Sequence, residues 1–379
     1  MDRSALLSQN LGILAAIVGL SSPVLAQEPE AAPESPAAEA PAPPPAAEPE
    51  PAPAEAALEP APVDMPEAAE APAPEATPAK PKPPPYSLPW QLRPVVAASV
   101  VRSDTAVAFY KDNAGKESGT TVASMLLASY KVTDELAPLV RIGVASNSPP
   151  SSVKTATGAD LDSAVNFLNP VVGVTYALKP AKPLRLALFL GATIPVGSGG
   201  GDDAKPENAQ ANAMGMRARS AMDNAMFAVN DFTIFPGIGL AYVAGGFTAQ
   251  AEVTLLQLMR VKGDKQPAMG APKNPDSSKT NFTAGIHLGY FVVPFFSLGG
   301  ELRHQRFLST PKAVDADEAD GGPDLGIRDQ TTFAVGPRFH FKLSESVWFR
   351  PGVAFAMPLD DPMKKAEYKI VQLDLPVAF

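Results

Sequence analysis

The feature that most constrains this chain is a step-two alternation of apolar with polar or charged side chains, recurring between Trp90 and Phe379 in segments of about ten residues. Twelve segments read this way, at roughly 90–102, 120–132, 137–147, 165–179, 184–195, 232–243, 247–260, 281–293, 295–307, 330–342, 347–358 and 367–379; ten to fourteen is the range the boundaries allow. Period two is that of a β-strand, whose successive side chains point to opposite faces. In the fifth segment Leu184, Leu186, Leu188 and Leu190 share one face, and Arg185, Ala187, Gly191 and Thr193 the other. In the seventh, Phe247, Ala249, Ala251, Val253 and Leu255 alternate with Thr248, Gln250, Glu252 and Thr254. The tenth sets Phe333, Val335, Phe339 and Phe341 against Thr332, Arg338, His340 and Lys342. One face is apolar enough for lipid. The other is too charged for a dry core, so it must meet water.

The connections are sorted. After even-numbered segments they are tight: "TDEL", "PAKP", "AGG", a corner at Pro294 and "SES". After odd-numbered ones they are long and polar, the longest running from Val196 to Asp231. Short turns at one end, long loops at the other and an even strand number describe an antiparallel barrel that crosses a membrane. A sandwich has no reason to sort its loops. Such a barrel leaves no free edge, because the last strand closes on the first.

The N-terminal part stands apart. The run "LGILAAIVGL" at 11–20, preceded by Arg3 and followed by "SSPVLA", reads as a signal peptide over residues 1–26, cleaved before Gln27. Residues 27–85 are Pro, Ala and Glu with little else: 20 of the 43 prolines and 12 acidic residues against Lys80 and Lys82. This composition cannot bury enough apolar surface to fold, and it reads as an extended, disordered periplasmic linker. The formal charge of −9 therefore belongs to the linker and says nothing about a basic partner. With no cysteine, disulfides and thiol chemistry are excluded. No later run approaches eighteen apolar residues, so a membrane home requires a barrel over 86–379.

The polar face supplies the candidate site. Glu301, Arg303, Arg338, His340, Arg350 and Asp374 fall on the last four segments, with Arg93, Arg141, Arg185 and Glu252 joining from elsewhere. Rings of charge set ion preference in pores, and this set has more cations than anions. An alternative is that these charges pair and brace a closed interior. Within the third long loop, "PENAQANAMGMRARSAMDNAMFAV" reads as a helix starting near Pro206. Met214, Ala218, Met222, Ala225, Met226 and Val229 form its apolar stripe, opposite Arg217, Arg219 and Asp223. It fits either a cover over the barrel mouth or a constriction whose soft methionines, Met214, Met222 and Met226, gate the lumen.

Enzymatic readings find no support. Outer-membrane lipases and deacylases set His and Ser two residues apart, whereas His287, His304 and His340 are followed at that spacing by Gly289, Arg306 and Lys342. "GATIPVGSGGGD" lacks the lysine of a phosphate loop. Asp315, Asp317, Glu318, Asp320 and Asp324 do not match a calcium-loop spacing and read as a solvated loop. No metal, cofactor or nucleic acid is expected.

The final strand, with Val371, Leu373, Leu375, Val377 and Phe379 in step, resembles the C-terminal signature of Gram-negative outer-membrane β-barrel proteins. Lys369 stands where that pattern often has an aromatic residue, and Pro376 is a further departure. The resemblance implies that Phe379 is part of an assembly signal read by the barrel assembly machinery from the periplasm. It also implies contact with outer-membrane lipid and lipopolysaccharide. In architecture the chain is similar to porin-like and transporter-like barrels. Two functions stay open: a channel for small polar or amphipathic solutes with a weak anion preference, or a structural barrel that presents loops without transport. The arm over 27–85 either meets the cell wall or a periplasmic protein, or only spaces the barrel.

Overall fold

In a strand with one lipid-compatible face, the apolar residues have only one side to occupy, and the faces fall accordingly. The computed structural model describes residues 86–112, 115–155, 158–263, 276–309, 329–361 and 363–379. The expected signal peptide, the linker over 27–85 and the acidic cluster at 315–324 lie outside the described residues.

The wall is a closed antiparallel barrel of twelve strands. They are β1 Val100–Lys111, β2 Ser118–Ser129, β3 Leu136–Ser148, β4 Val171–Ala181, β5 Leu184–Thr193, β6 Asp231–Ala244, β7 Phe247–Arg260, β8 Ser278–Val293, β9 Phe296–Phe307, β10 Asp329–Phe339, β11 Gly352–Pro358 and β12 Lys369–Ala378. Each pairs with the next, and β12 returns to β1, from Val100 opposite Ala378 to Phe109 opposite Lys369. Closure satisfies the backbone of every wall strand without water, as a bilayer requires. Three short pieces complete it. Ala164–Phe167 runs beside the long-loop end of β3, while Phe341–Lys342 and Trp348–Phe349 form a hairpin leaning on β12.

The outer surface is an apolar belt, with Leu188, Leu190, Ile238, Leu240, Val253, Leu255, Ile286, Leu288, Leu302, Phe333 and Val335 all exposed. An apolar surface this continuous is stable against lipid, not water. The inward faces carry Thr121, Thr233, Thr248, Gln250, Thr254, Thr283, Gln330, Thr332 and Gln372, interleaved with alanines.

One expected strand is corrected. The first wall strand begins at Val100, and residues 86–99 instead run inside the barrel as an irregular inner segment. Pro89 and Pro94 lack the N–H that a ladder position uses, which disfavours a strand here, although Pro138, Pro236, Pro337 and Pro376 are accepted singly within wall strands. Two further segments are interrupted at prolines for the same reason: the fourth at Pro170, the eleventh at Pro351. The loop helix also differs from its reading. Helix α1, Pro206–Ala218, starts where expected, with Pro206 at its N-terminus. It then stops. Ser220 and Ala221 take φ of 55° and 56°, and a separate turn, α2 Asn224–Phe227, follows.

Candidate functional site: the filled lumen

Two inserts occupy the barrel interior, one from each end. The inner segment enters at the short-turn end, where it leads into β1. Its backbone has no ladder, so wall side chains satisfy it. Glu301 on β9 accepts the N–H of Trp90 at 2.8 Å and of Gln91 at 3.0 Å. Glu252 on β7 accepts the N–H of Arg93 at 2.5 Å and pairs with the Arg93 guanidinium. Thr248 Oγ1 accepts from Ser87 N at 3.1 Å, and Gln250 Nε2 donates to Arg93 O at 2.7 Å. Arg102 Nη2 donates to Pro89 O at 3.1 Å and to Trp90 O, and Arg350 Nη2 donates to Tyr86 O.

The wall is hollowed to receive this segment. A Cβ on Gly285 would stand 2.6 Å from Leu92 Cδ1, one on Gly239 2.9 Å from Val95 Cγ1, and one on Gly299 3.1 Å from Trp90 Cη2. At these positions glycine allows close approach of the segment to the strand backbone. Trp90, Leu92 and Val95 are almost wholly buried in consequence. The Arg93 guanidinium carbon lies over the ring of Phe189, 4.1 Å from its centroid, a cation–π arrangement.

The second insert is the long connection between β5 and β6, folded inward instead of over the mouth. Ala218 packs with Ala106, Ala334, Ala356 and Ile370, which belong to strands on the β10–β1 side of the wall. Met226 and Phe227 pack with Met125, Ala145, Phe189 and Phe235 on the other side. Arg219 is its anchor. It grips Asp104 of β1 through two parallel bonds of 2.6 and 2.7 Å, and its Nε bonds Asp223 at 2.9 Å. Arg141 of β3 closes the cluster on Asp223. Paired forks of this kind fix geometry as well as charge.

The two inserts meet at Arg303. Its Nε donates to Glu301 at 2.5 Å, its Nη1 to Ser220 Oγ at 3.2 Å and its Nη2 to Gln372 at 2.8 Å. Ser220, one of the two left-handed residues that end α1, has its hydroxyl held by β9. A third ion cluster lies below: Asp374 of β12 takes Arg102 Nε at 2.6 Å and Arg338 Nη2 at 2.6 Å. His340 accepts from Arg350 Nε on Nδ1 at 2.9 Å, so its proton sits on Nε2 and is donated to Ser297 Oγ at 2.8 Å.

The polar residues expected at the lumen, Arg93, Arg141, Arg185, Glu252, Glu301, Arg303, Arg338, His340, Arg350 and Asp374, all have inward positions. Arg93 reaches the interior from the inner segment and not from a wall strand. Most are tied into pairs; Arg185, half-buried on β5, has no carboxylate partner among the described residues. Met222 and Met226 are buried in the packed connection, and Met214 Sδ lies 2.8 Å from the Tyr368 hydroxyl. Phe379 is 55% exposed and donates its N–H to Ser99 O at 3.1 Å. Sequence reasoning missed Arg102 and Asp104. They sit two apart on the inward face of β1, continuing into Ala106 and Ala108, a period-two signal that the misplaced first strand hid.

Fold and interior together define a transmembrane β-barrel whose lumen is filled by its own chain. No protein-family model matches the sequence, and no curated protein matches it either. Solved structures give likenesses of architecture. An outer-membrane channel from Pseudomonas putida F1 superimposes with a TM-score of 0.45 at 13% identity, over 76% of this chain and 98% of that one. The NanC porin gives a TM-score of 0.41 at 9% identity, over 73% and 98%. A FadL homologue from Pseudomonas aeruginosa gives 0.35 at 9%, over 74% and 90%.

Proposed function

We propose that this chain is an outer-membrane channel, closed at rest by its inner segment and its inward-folded connection, for small polar or amphipathic solutes with a weak preference for anions. The observation that carries the reading is the chemistry of the inward wall. Thr233 Oγ1, Thr332 Oγ1, Asn281 Oδ1, Gln250 Oε1, Gln372 Nε2 and both amide atoms of Gln330, all on wall strands, are buried without a hydrogen-bond partner among the described residues. A wall built to stay dry would be apolar there, because each unpaired buried polar group costs about 1–3 kcal/mol. A wall that meets water when the inserts leave needs such groups. Neither insert contributes a strand to the wall, so their departure breaks no ladder. Of the charges that stay with the wall when the inserts leave, six arginines, Arg102, Arg141, Arg185, Arg303, Arg338 and Arg350, face four carboxylates, Asp104, Glu252, Glu301 and Asp374, and that excess favours anions.

The packed ion pairs favour a second reading, a braced barrel that never opens. Planar-bilayer recording separates the two. A channel gives rare openings in the intact chain and steady anion-leaning conductance once residues 86–97 are deleted, with reversal potentials shifting towards cations in the triple variant Arg303→Gln, Arg338→Gln, Arg350→Gln of that deletion. Silence from folded protein, both intact and with residues 86–97 and 204–229 removed, overturns the channel.

In this reading the barrel sits among outer-membrane lipid and lipopolysaccharide, inserted by the barrel assembly machinery through the strand ending at Phe379. The segment over 27–85 lies in the periplasm as a spacer feeding the inner segment. Deleting residues 28–80 leaves assembly and conductance normal if the arm is passive, and alters gating if a cell-wall or protein partner pulls on it.

A further inference from the structure

The lumen is not filled everywhere. At the short-turn end a cavity of about 220 Å³ remains between the inner segment and the wall, lined by Leu88, Pro94 and Val96 on one side and by Leu127, Ala137 and Leu139 on the other. Its lining is chiefly apolar, and Arg350, Arg102 and Arg93 border it. Two of these arginines are committed: Arg102 to Asp374, Arg93 to Glu252. Arg350 is not. It is 94% buried, has no carboxylate partner among the described residues, and spends its bonds on His340 and the Tyr86 carbonyl, leaving Nη1 without a protein partner. Tyr86, which also borders the cavity, has a buried hydroxyl with no partner. A buried guanidinium without a counter-charge is costly, and an apolar chamber beside it supplies the rest of a ligand's contacts.

We propose that this cavity binds an amphipathic monoanion, a medium-length acyl chain or comparable apolar body whose carboxylate pairs with Arg350. The cavity lies at the end of the barrel where β1 begins and β12 finishes, bordered by Val100 and Ala378, and no residue of the second insert lines it. The site therefore does not depend on the lumen opening. Arg fits the role because its planar fork meets a carboxylate with two parallel bonds. The apolar lining supplies most of the contact surface and the few polar groups set orientation, the usual division in small-molecule sites.

The chain contains two tryptophans, and Trp348 borders the cavity, which provides the readout. Full-length protein in nanodiscs of zwitterionic lipid is titrated with 10-bromodecanoate, 10-bromodecanol and a bromodecyl trimethylammonium salt. Saturable quenching of tryptophan by the acid, at least tenfold weaker for the alcohol and absent for the cation, is expected. Arg350→Gln weakens the acid at least tenfold and leaves the alcohol unchanged; Ser129→Phe, which fills the cavity from β2, abolishes saturable quenching by acid and alcohol alike. Equal binding of acid and alcohol, or unchanged affinity in folded Arg350→Gln, overturns the proposal. Should Arg350→Gln fail to fold by gel heat-shift, saturable acid binding retained in Ser129→Phe overturns it instead.

Discussion

Glu301 holds the backbone N–H groups of Trp90 and Gln91 at 2.8 and 3.0 Å while its carboxylate also takes Arg303 Nε at 2.5 Å. One wall residue thus fastens the inner segment and orients the arginine that reaches the other insert. Replacing Glu301 by Gln leaves Arg303 buried without its counter-charge, a loss on the order of 3–5 kcal/mol. The wall ladder is untouched, so the cost falls on docking of residues 86–99. The chain has no cysteine, which makes the measurement direct. A single Leu92→Cys is expected to resist maleimide in the otherwise unaltered barrel and to label readily once Glu301→Gln is added.

Arg219 does the same for the second insert. With both its forks on Asp104 and its Nε on Asp223, Arg219→Ala strands two buried carboxylates with only Arg141 between them. The connection is expected to undock while the barrel persists. Met222→Cys, buried in the parent, then labels at least tenfold faster from the long-loop end.

Gly285 tests the hollowed wall. In a strand interior, valine ordinarily outranks glycine, which packs nothing and costs backbone entropy. Here a Cβ would stand 2.6 Å from Leu92 Cδ1. Gly285→Val is expected to lower the midpoint of the heat-shift transition, and Leu92→Ala to recover part of that loss in the double variant. Additive losses in the cycle would mean that the two positions do not touch.

The loops at the long end offer a pH effect. The Ser152 hydroxyl donates to Asp112 Oδ2 at 2.7 Å, and Glu117 receives the Ser151 hydroxyl and the Ser152 N–H, the latter at 2.6 Å. Hydroxyl hydrogen bonds first, with backbone N–H groups behind them, hold both carboxyls below their ordinary range. A depressed carboxyl contributes its stabilisation above its unfolded value and loses it as pH falls through the folded one. Proteolysis between β1 and β2 is therefore expected to be slow at neutral pH and to accelerate as pH falls below the ordinary carboxylate range. Ser152→Ala should show fast cleavage at every pH.

The outward faces were legible because lipid admits one class of side chain at alternate positions. The segment read at 247–260 coincides with β7, and Leu184, Leu188 and Leu190 do face outward from β5. The inward charges were legible as inward for the complementary reason. Their pairing was not, since Asp104 finds Arg219 across a separation of 115 positions that no period records. The inner segment was misread because Trp90 and Leu92 alternate with Gln91 and Arg93 well enough to imitate the start of a strand. The sign against a strand was two prolines, Pro89 and Pro94, only five positions apart, whereas the wall takes prolines such as Pro138 and Pro236 singly.

Apart from the two that Arg102 makes, the bonds that seat residues 86–93 reach partners 157 to 264 positions further along the chain. None of those partners stands in place until β7, β9 and the strands after them are paired, so the seat is built by the part of the chain that follows it. The stretch that leads into the first wall strand therefore cannot be fully seated before those later strands are, and burial of Trp90 reports that β9, which holds it through Glu301, is already in place.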